Sequence, residues 1–324
     1  MTICEINDPV TIQSAGESLL QAEKRKMHIS VDDFTALALA LEKSDDFRVF
    51  RRVPVRTEFR DARGEPTKFG VLFDVETTGL DTNSDEVIEL GMIKFNYLQS
   101  GEVVSVIDTF SALHDPQRPI PAEATKIHGI TNEMVAGQRI DAALVESFVD
   151  DASIVIAHNA NFDRRFAERN WVTFVNKPWA CSVSQIDWRS FGFEGSRLGY
   201  LLSGIGMFHD AHRAVDDCRA LLEILAFEIA ETKRTALSHV LESARKSTAR
   251  IWAEGSPFDL KDELKKRGYR WSPGDDGRPK AWYVDIDHVK HDEEIQYLRT
   301  SIYGQHVELY VQKLTALERY SVRA

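Results

Sequence analysis

The stretch VLFDVETTGL, residues 71–80, combines an apolar strand with two carboxylates near its end. The run Val71–Phe73 predicts a buried strand, and Asp74 and Glu76 follow it two positions apart. Side chains two positions apart on a strand point to the same face, so the two carboxylates lie side by side. Two like charges on a buried strand are unfavourable unless a cation lies between them. A D-x-E pair is common, and a solvated strand end is the alternative interpretation.

The flanking sequence predicts the sheet to which this strand belongs. Two strand-like runs, Val87–Phe95 and Val103–Phe110, follow at short intervals and predict a three-stranded antiparallel meander. Another apolar strand, Ile154–Ala157, comes later, and apolar residues at helical spacing predict a helix from about Ala214 to Glu231. Strands followed by alternating strands and helices indicate a mixed α/β sheet.

Asp163 is a third acid placed where an element begins. In the stretch HNANFD, residues 158–163, polar residues follow an apolar strand, and Asp163 opens a predicted helix. The alternative interpretation is that this acid only stabilises the helix N-terminus through the helix dipole.

His212 and Asp217 form a fourth group in the stretch HRAVDD, residues 212–217. Five positions on an α-helix rotate by about 500°, so the two side chains do not share a helical face. They converge only if His212 lies on the loop before the helix and Asp217 in its first turns. The alternative is an acidic first turn with a surface histidine, and nearby His209 is interpreted as a surface histidine.

The composition excludes several classes of protein. The chain has 324 residues, of which 43% are hydrophobic and 28% charged, with a net charge of −11. No apolar run reaches the ~20 residues that cross a bilayer, and the start lacks the features of a signal peptide, so we expect no membrane partner. Three distant cysteines exclude a disulfide scaffold and favour the cytoplasm. The negative charge disfavours a protein that coats nucleic acid through a global positive field.

Three stretches in this order carry a resemblance to a known family: FDVETTGL, HNANFDRRF and AHRAVDDCRALLEIL. They resemble the three motifs of the DEDDh 3′–5′ exonuclease family, which includes the proofreading ε subunit of bacterial DNA polymerase III. The intervening IHGIT, residues 127–131, also resembles a family segment, and the resemblance spans about residues 69–229. Arg213, not tyrosine, lies four residues before Asp217, so the tyrosine-type subgroup fits poorly.

The resemblance implies a metal-dependent active site. Asp74, Glu76, Asp163 and Asp217 would hold two Mg²⁺ or Mn²⁺ ions, which prefer such hard oxygen ligands. His212 would be the general base, because a neutral histidine accepts a proton near pH 7.

The resemblance also implies substrate contacts. The turn containing Thr77, Thr78 and Leu80 would support the 3′ nucleotide, with Leu80 against a base. Further matches to substrate-side positions are His128, Asn159 and Phe162. For Phe162 a core position, and for Asn159 a structural hydrogen bond to the strand end, remain alternatives.

The resemblance and the composition together predict an RNase H-like mixed five-stranded sheet flanked by helices, within a chain of four parts. These are an N-terminal helical extension (1–66), the exonuclease domain (67–234), a linker helix (235–255) and a small accessory α+β domain (256–324). From Arg245 onward the chain contains 15 Lys and Arg residues and 13 Asp and Glu residues, whereas the rest contains 25 and 38. This change in net charge supports a domain boundary before the accessory domain.

In the accessory domain, basic residues alternate with aromatic residues, a pattern that is typical of proteins that bind single-stranded nucleic acid. The alternative is that Tyr269, Trp271 and Trp282 form the core of a small domain.

The sequence therefore predicts a 3′–5′ exonuclease that releases nucleoside 5′-monophosphates from the 3′ end of DNA. Its partners are expected to be nucleic acid with a free 3′ end and a DNA polymerase or repair complex. A 3′–5′ exoribonuclease of the same family and a non-catalytic recruitment module remain the alternatives.

Overall fold

The computed structural model describes residues 31–275 and 277–324, which belong to two compact units that meet in sequence at Phe50 and Arg51. In the first unit, α1 (Val31–Leu41) is the described helix of the N-terminal extension. Residues 1–30 of that extension lie outside the described residues. The second unit begins with β1 (Arg51–Arg52). No helix in the described part of the chain is both long and apolar enough to cross a membrane.

The second unit is built on the predicted mixed five-stranded sheet. Its strands are β2 (Thr67–Thr77), β3 (Val87–Leu98), β4 (Val103–Leu113), β5 (Ile154–Ala157) and β6 (Trp179–Cys181), and their spatial order is β4-β3-β2-β5-β6. The first three strands are antiparallel, and β5 and β6 run parallel to β2. This arrangement confirms the predicted RNase H-like sheet.

Helices cover both faces of the sheet. Their bounds are α2 (Ala122–His128), α3 (Asn132–Val135), α4 (Ala142–Val149), α5 (Ala160–Asn170), α6 (Leu198–Gly204), α7 (Ala214–Ala226) and α8 (Ala236–Arg245). Short strands form two further pairs, β1 with β7 (Met207–Phe208) and β8 (Glu228–Ile229) with β9 (Arg234–Thr235).

Successive side chains of β2 point to opposite faces of the sheet and therefore pack against different helices. Leu72 packs in one apolar cluster with Leu221 of α7, whereas Phe73 packs in the opposite cluster with Phe166 of α5. Because successive side chains alternate between faces, the even-numbered positions of β2 face α7. Asp74 and Glu76 continue this row, so the strand directs both carboxylates to the helix that carries Asp217.

A second sheet follows the exonuclease-like region. Its strands are β10 (Thr248–Ala253), β11 (Arg270–Ser272), β12 (Ala281–Asp287) and β13 (Tyr310–Leu314), in the antiparallel order β11-β12-β10-β13. The helices α9 (Lys261–Lys266) and α10 (His291–Tyr297) complete it.

The structure departs from the predicted linker helix over 235–255. The helix α8 ends at Arg245, and β10 is an inner strand of the second sheet. Its residues Ala249–Ala253 are buried, because the strand pairs on both edges with β12 and β13. Helical periodicity could not reveal this pairing, which involves residues far along the chain.

The accessory-domain aromatics are divided between core and surface. Tyr269 is buried in the apolar cluster, and its hydroxyl donates to Glu294. Trp282 is half-buried beside that cluster, whereas Trp271 is half-exposed and packs edge-on against Trp282. Tyr269 is therefore a core residue of the accessory domain, whereas Trp271 is the least buried of the three aromatic residues.

A buried arginine joins the C-terminal segment to α5. The Arg164 side chain is fully buried, and its guanidinium donates to the main-chain carbonyls of Ala316, Leu317 and Arg319 and to Glu168. Hydrogen bonds from a charged donor to three carbonyls stabilise this segment against the helix.

Gly91 of β3 allows α7 to approach the sheet closely. A Cβ at this position would lie 2.4 Å from backbone atoms of Ala214 and Val215. Cys218 on the next turn packs there, with its Sγ 3.5 Å from the Gly91 carbonyl oxygen. The missing side chain thus positions the start of α7.

Gly91→Ala is expected to lower the free energy of unfolding by about 1–3 kcal/mol, the usual cost of overpacking, because the added methyl group displaces the start of α7. Urea denaturation measures this change. Gly199→Ala in α6 is the matched control, since a Cβ there meets no atom within 4 Å. An unchanged unfolding free energy for Gly91→Ala would contradict the close approach.

Candidate metal and catalytic site

Three carboxylates meet where β2 ends and α7 begins. Asp74, Glu76 and Asp217 each offer an oxygen atom, and these atoms lie within 4.8 Å of one another. Asp74 and Glu76 come from the even-numbered row of β2, and Asp217 from the first turn of α7. The predicted pair and the predicted helix acid therefore form one cluster.

Asp163 joins this cluster from α5. It is buried in the first turn of that helix and accepts a hydrogen bond from the backbone N–H of Val75. Burial raises its pKa well above the ordinary range, and the charges of Glu76 and Asp217 add to the effect. Asp163 lines the same cavity as the other three predicted acids.

Asp74 and Glu76 resist ionisation in the absence of a cation. Burial, followed by the charges of Asp163, Asp217 and Glu76, raises the pKa of Asp74 well above its ordinary value. Burial and Asp217 raise the pKa of Glu76 to about 8, although Arg213 acts in the opposite direction. A divalent cation would reverse this preference, and carboxylate oxygens at this spacing suit Mg²⁺ or Mn²⁺. The residues present therefore fit a metal site.

His212 lies on the loop before α7, as its convergence with Asp217 requires. The residue is exposed and has a left-handed backbone, with φ of 70°. Its backbone N–H and that of Arg213 donate to Oδ2 of Asp217, at 2.8 and 3.0 Å. This turn brings His212 to the same cavity as the acids.

His209 is not the surface histidine that the sequence suggested. Its side chain is 8% exposed, and Nε2 lies 2.8 Å from Oδ1 of Asp217. The loop folds back over the start of α7, so a residue eight positions away meets the carboxylate. Neither strand nor helix periodicity signals such a contact.

Glu89 and Arg213 fix the start of α7, and sequence reasoning missed both. Glu89 on β3 is buried, and Nη2 of Arg213 donates to its Oε1 at 2.7 Å. Oε2 of Glu89 accepts the N–H of Ala214, the first residue of α7. A buried carboxylate thus satisfies an orphan donor at the helix N-terminus and holds Asp217 in place.

A cavity of about 370 Å³ surrounds the acids. Leu80, Asn159 and Phe162 line it together with the carboxylates and His212. Leu80 is 84% exposed, which suits contact with a ligand more than packing. Phe162 is half-buried, packs against Phe166 and also lines the cavity. Both predicted positions for this residue, in the core and beside the substrate, are therefore compatible with the structure.

Asn159 occupies the position before α5 with φ of 104°. Its side chain makes no capping hydrogen bond to the N-terminus of α5, and the alternative of a structural hydrogen bond to the strand end stays a prediction. Because Asn159 is exposed and lines the cavity, its amide is available to a substrate.

The remaining predicted substrate residues lie outside the cavity lining. Thr77 and Thr78 are buried, and their hydroxyls donate within the turn, to the Gly79 carbonyl and to Asp85. His128 is also buried, and its Nδ1 accepts the N–H of Ile130. Their side chains stabilise the surrounding turns, and a role in substrate binding stays a prediction.

Glu76→Gln is expected to change the pH dependence of stability in metal-free buffer. The pKa of Glu76 is about 8 in the folded protein and ordinarily 4.5. The folded state therefore binds the proton more tightly than the unfolded chain, and the resulting stabilisation is fully present below pH 4.5. This contribution is lost as the pH rises through 8. The variant should therefore melt several degrees above the parent at alkaline pH in EDTA.

The control for this melting experiment is Glu146→Gln, at an exposed position on α4. Added Mg²⁺ should raise the melting temperature of the parent more than that of Glu76→Gln. Parallel pH profiles for parent and Glu76→Gln would contradict the electrostatic account.

Comparison with known proteins agrees with this geometry. Residues 71–225 match the family model described as Exonuclease (RNase_T). The chain is 33% identical over 167 residues to DNA polymerase III subunit epsilon of Treponema pallidum, covering 49% of this chain and 75% of that protein. It is 33% identical over 169 residues to PolC-type DNA polymerase III of Clostridium perfringens, covering 50% of this chain but 11% of that protein.

Two solved structures are also similar. Exonuclease X in complex with 5′ overhanging duplex DNA has 22% identity and a TM-score of 0.38, covering 52% of this chain and 99% of that one. An E. coli exonuclease I complex with single-stranded DNA has 14% identity and a TM-score of 0.45, covering 68% and 63%. The matched exonuclease region contains all four acids and His212, and the chain belongs to the DEDDh 3′–5′ exonuclease family.

Proposed function

We propose that this protein is a metal-dependent 3′–5′ exonuclease. It hydrolyses the terminal phosphodiester bond of DNA, at single-stranded or frayed 3′ ends, and releases nucleoside 5′-monophosphates. The observation that carries the proposal is the convergence of four acids and His212 on one cavity. Two divalent cations bound there would activate the attacking water and stabilise the leaving 3′ oxygen.

The residues around the cavity have distinct tasks in this reaction. Asp74, Glu76, Asp163 and Asp217 would hold the cations, because they lie on strand and helix ends that are themselves fixed by packing. His212 takes a proton from the attacking water, because its imidazole is exposed at the mouth of the cavity. Leu80 and Phe162 contact the terminal base.

DNA is the favoured substrate because the relatives that this chain matches include DNA polymerase III proteins. A polymerase or repair complex is the expected partner for a proofreading role. The reaction is proposed to take place in the cytoplasm, which is supported by two buried free thiols, Cys181 and Cys218.

The direct test follows the degradation of 5′-labelled single-stranded DNA and RNA of equal sequence. With Mg²⁺ or Mn²⁺ we expect a ladder of 3′-shortened DNA, which EDTA and Asp74→Ala abolish because the metal site is lost. The matched control is Glu146→Ala, which removes an exposed acid from α4 and should leave the ladder intact.

The RNA lane separates the proposal from its nearest rival. Faster shortening of RNA than of DNA would identify an exoribonuclease with the same site. Intact strands in every lane, with tight binding retained, would refute the catalytic proposal and favour a recruitment module.

His212→Ala is expected to lower kcat by about 100-fold or more, because general-base catalysis contributes on the order of 10²–10⁴. The affinity for Mg²⁺, measured by calorimetry, should change little, since His212 is proposed to handle the proton and not the metal. His306→Ala, at an exposed position of the accessory domain, is the control. A normal kcat for His212→Ala would remove this residue from the mechanism.

A further inference from the structure

A second cleft, of about 810 Å³, lies between the exonuclease region and the accessory sheet. Asn159, Arg165 and Lys246 line it from the exonuclease side, and Arg250 and Arg270 line it from the accessory sheet. Both walls belong to the same compact unit. Nothing in the catalytic proposal uses this cleft.

The cleft is positively charged, although the chain carries a net charge of −11. The cationic side chains that line it outnumber the acidic ones, Asp285 and Asp287. The cations are Arg165, Lys246, Arg250, Arg270, Arg278 and Arg319. Arg319 donates to main-chain carbonyls that include those of Ser243 and Ala244 and serves the structure, but the remaining cations still exceed the acids.

Asp285 balances only part of this charge. Both Arg250 and Arg270 bind its carboxylate, at 2.7 Å each, so one negative charge faces two guanidinium groups. Both guanidinium carbons also lie within 5 Å of the ring centroid of Tyr283, at 4.9 and 4.8 Å. The aromatic ring and the shared carboxylate hold the two cations side by side.

Buried donors in the cleft lack acceptors. Arg250 is 7% exposed, and its Nη1 atom has no hydrogen-bond partner among the described residues. Nε of Arg165, on the opposite wall, is likewise without one in the described part of the chain. Buried N–H groups without acceptors are costly, so these arginines favour an anionic ligand with several acceptor oxygens.

The cleft adjoins the catalytic cavity, because Asn159 lines both. We therefore expect a strand whose 3′ end occupies the cavity to extend past Asn159 towards the cleft. A phosphodiester backbone supplies one negative charge per nucleotide, which matches the paired guanidinium groups and the lysine.

We propose that this cleft binds the phosphodiester backbone of the single strand that precedes the 3′-terminal nucleotide. The accessory sheet thereby increases affinity for long substrates without contacting the scissile bond. This inference rests on the proposed exonuclease function and names the path of its substrate.

The test compares Lys246→Ala/Arg270→Ala with the matched control Lys265→Ala/Lys266→Ala. Each pair removes two exposed, ion-paired cations, but only the first pair lines the cleft. Binding of a single strand of about 20 nucleotides is followed by fluorescence anisotropy in EDTA over a range of salt concentrations. Melting temperatures of both variants verify folding.

The cleft variant should bind more weakly and with a shallower dependence on salt. Each lost phosphate contact lowers the slope of log K against log salt by about 0.7, so two contacts lower it by about 1.4. That change corresponds to about 25-fold weaker binding at 0.1 M salt. Arg270→Lys should retain most of the slope, because it keeps the charge.

A small substrate separates this inference from the proposed function. The p-nitrophenyl ester of thymidine 5′-monophosphate fills only the terminal position, so the cleft variant should hydrolyse it at the parent rate. Unchanged binding of the long strand by the cleft variant would contradict the proposed role of the cleft. An equal loss of affinity in the control variant would contradict it as well. Failure of the parent to hydrolyse both DNA and the ester would instead refute the exonuclease proposal.

Discussion

The repulsion between buried carboxylates at the end of β2 is the constraint on which the site depends. Burial and mutual charge raise the pKa values of Asp74, Glu76 and Asp163, so gathering these groups opposes folding when they are ionised. The sheet and helices must hold them together against that cost. The packing of β2 between two apolar clusters stabilises the arrangement, because the carboxylates extend rows of side chains that are already fixed.

The start of α7 is held by three contacts of different kinds. Gly91 lets the helix approach β3, Glu89 accepts the first helical N–H, and Arg213 neutralises the Glu89 carboxylate. Asp217 in turn accepts the N–H groups of the loop that carries His212. The proposed metal ligand and the proposed base are therefore held by the same contacts, so a displacement of α7 would disturb both together.

Much of this site follows from local sequence patterns, and the rest depends on pairings between distant residues. Alternation along β2 predicted the shared face of Asp74 and Glu76, and the loop before α7 allowed His212 and Asp217 to converge. The bonds of Glu89 with Arg213 and of His209 with Asp217 have no periodic signal, because they depend on how a sheet and a loop pack. The same limit explains β10, whose strand pairing lies beyond the reach of helical spacing.

Charge shows the difference between composition and structure most clearly. A net charge of −11 argued against a protein that coats nucleic acid, and it still describes the whole chain correctly. The fold nevertheless gathers Lys246, at the end of α8, with Arg250 and Arg270 of the second sheet. These residues share a surface only after β10, β11 and β12 pair. A locally positive cleft beside an acidic cavity is suited to a strand whose backbone is held while its end reaches the proposed metal ligands.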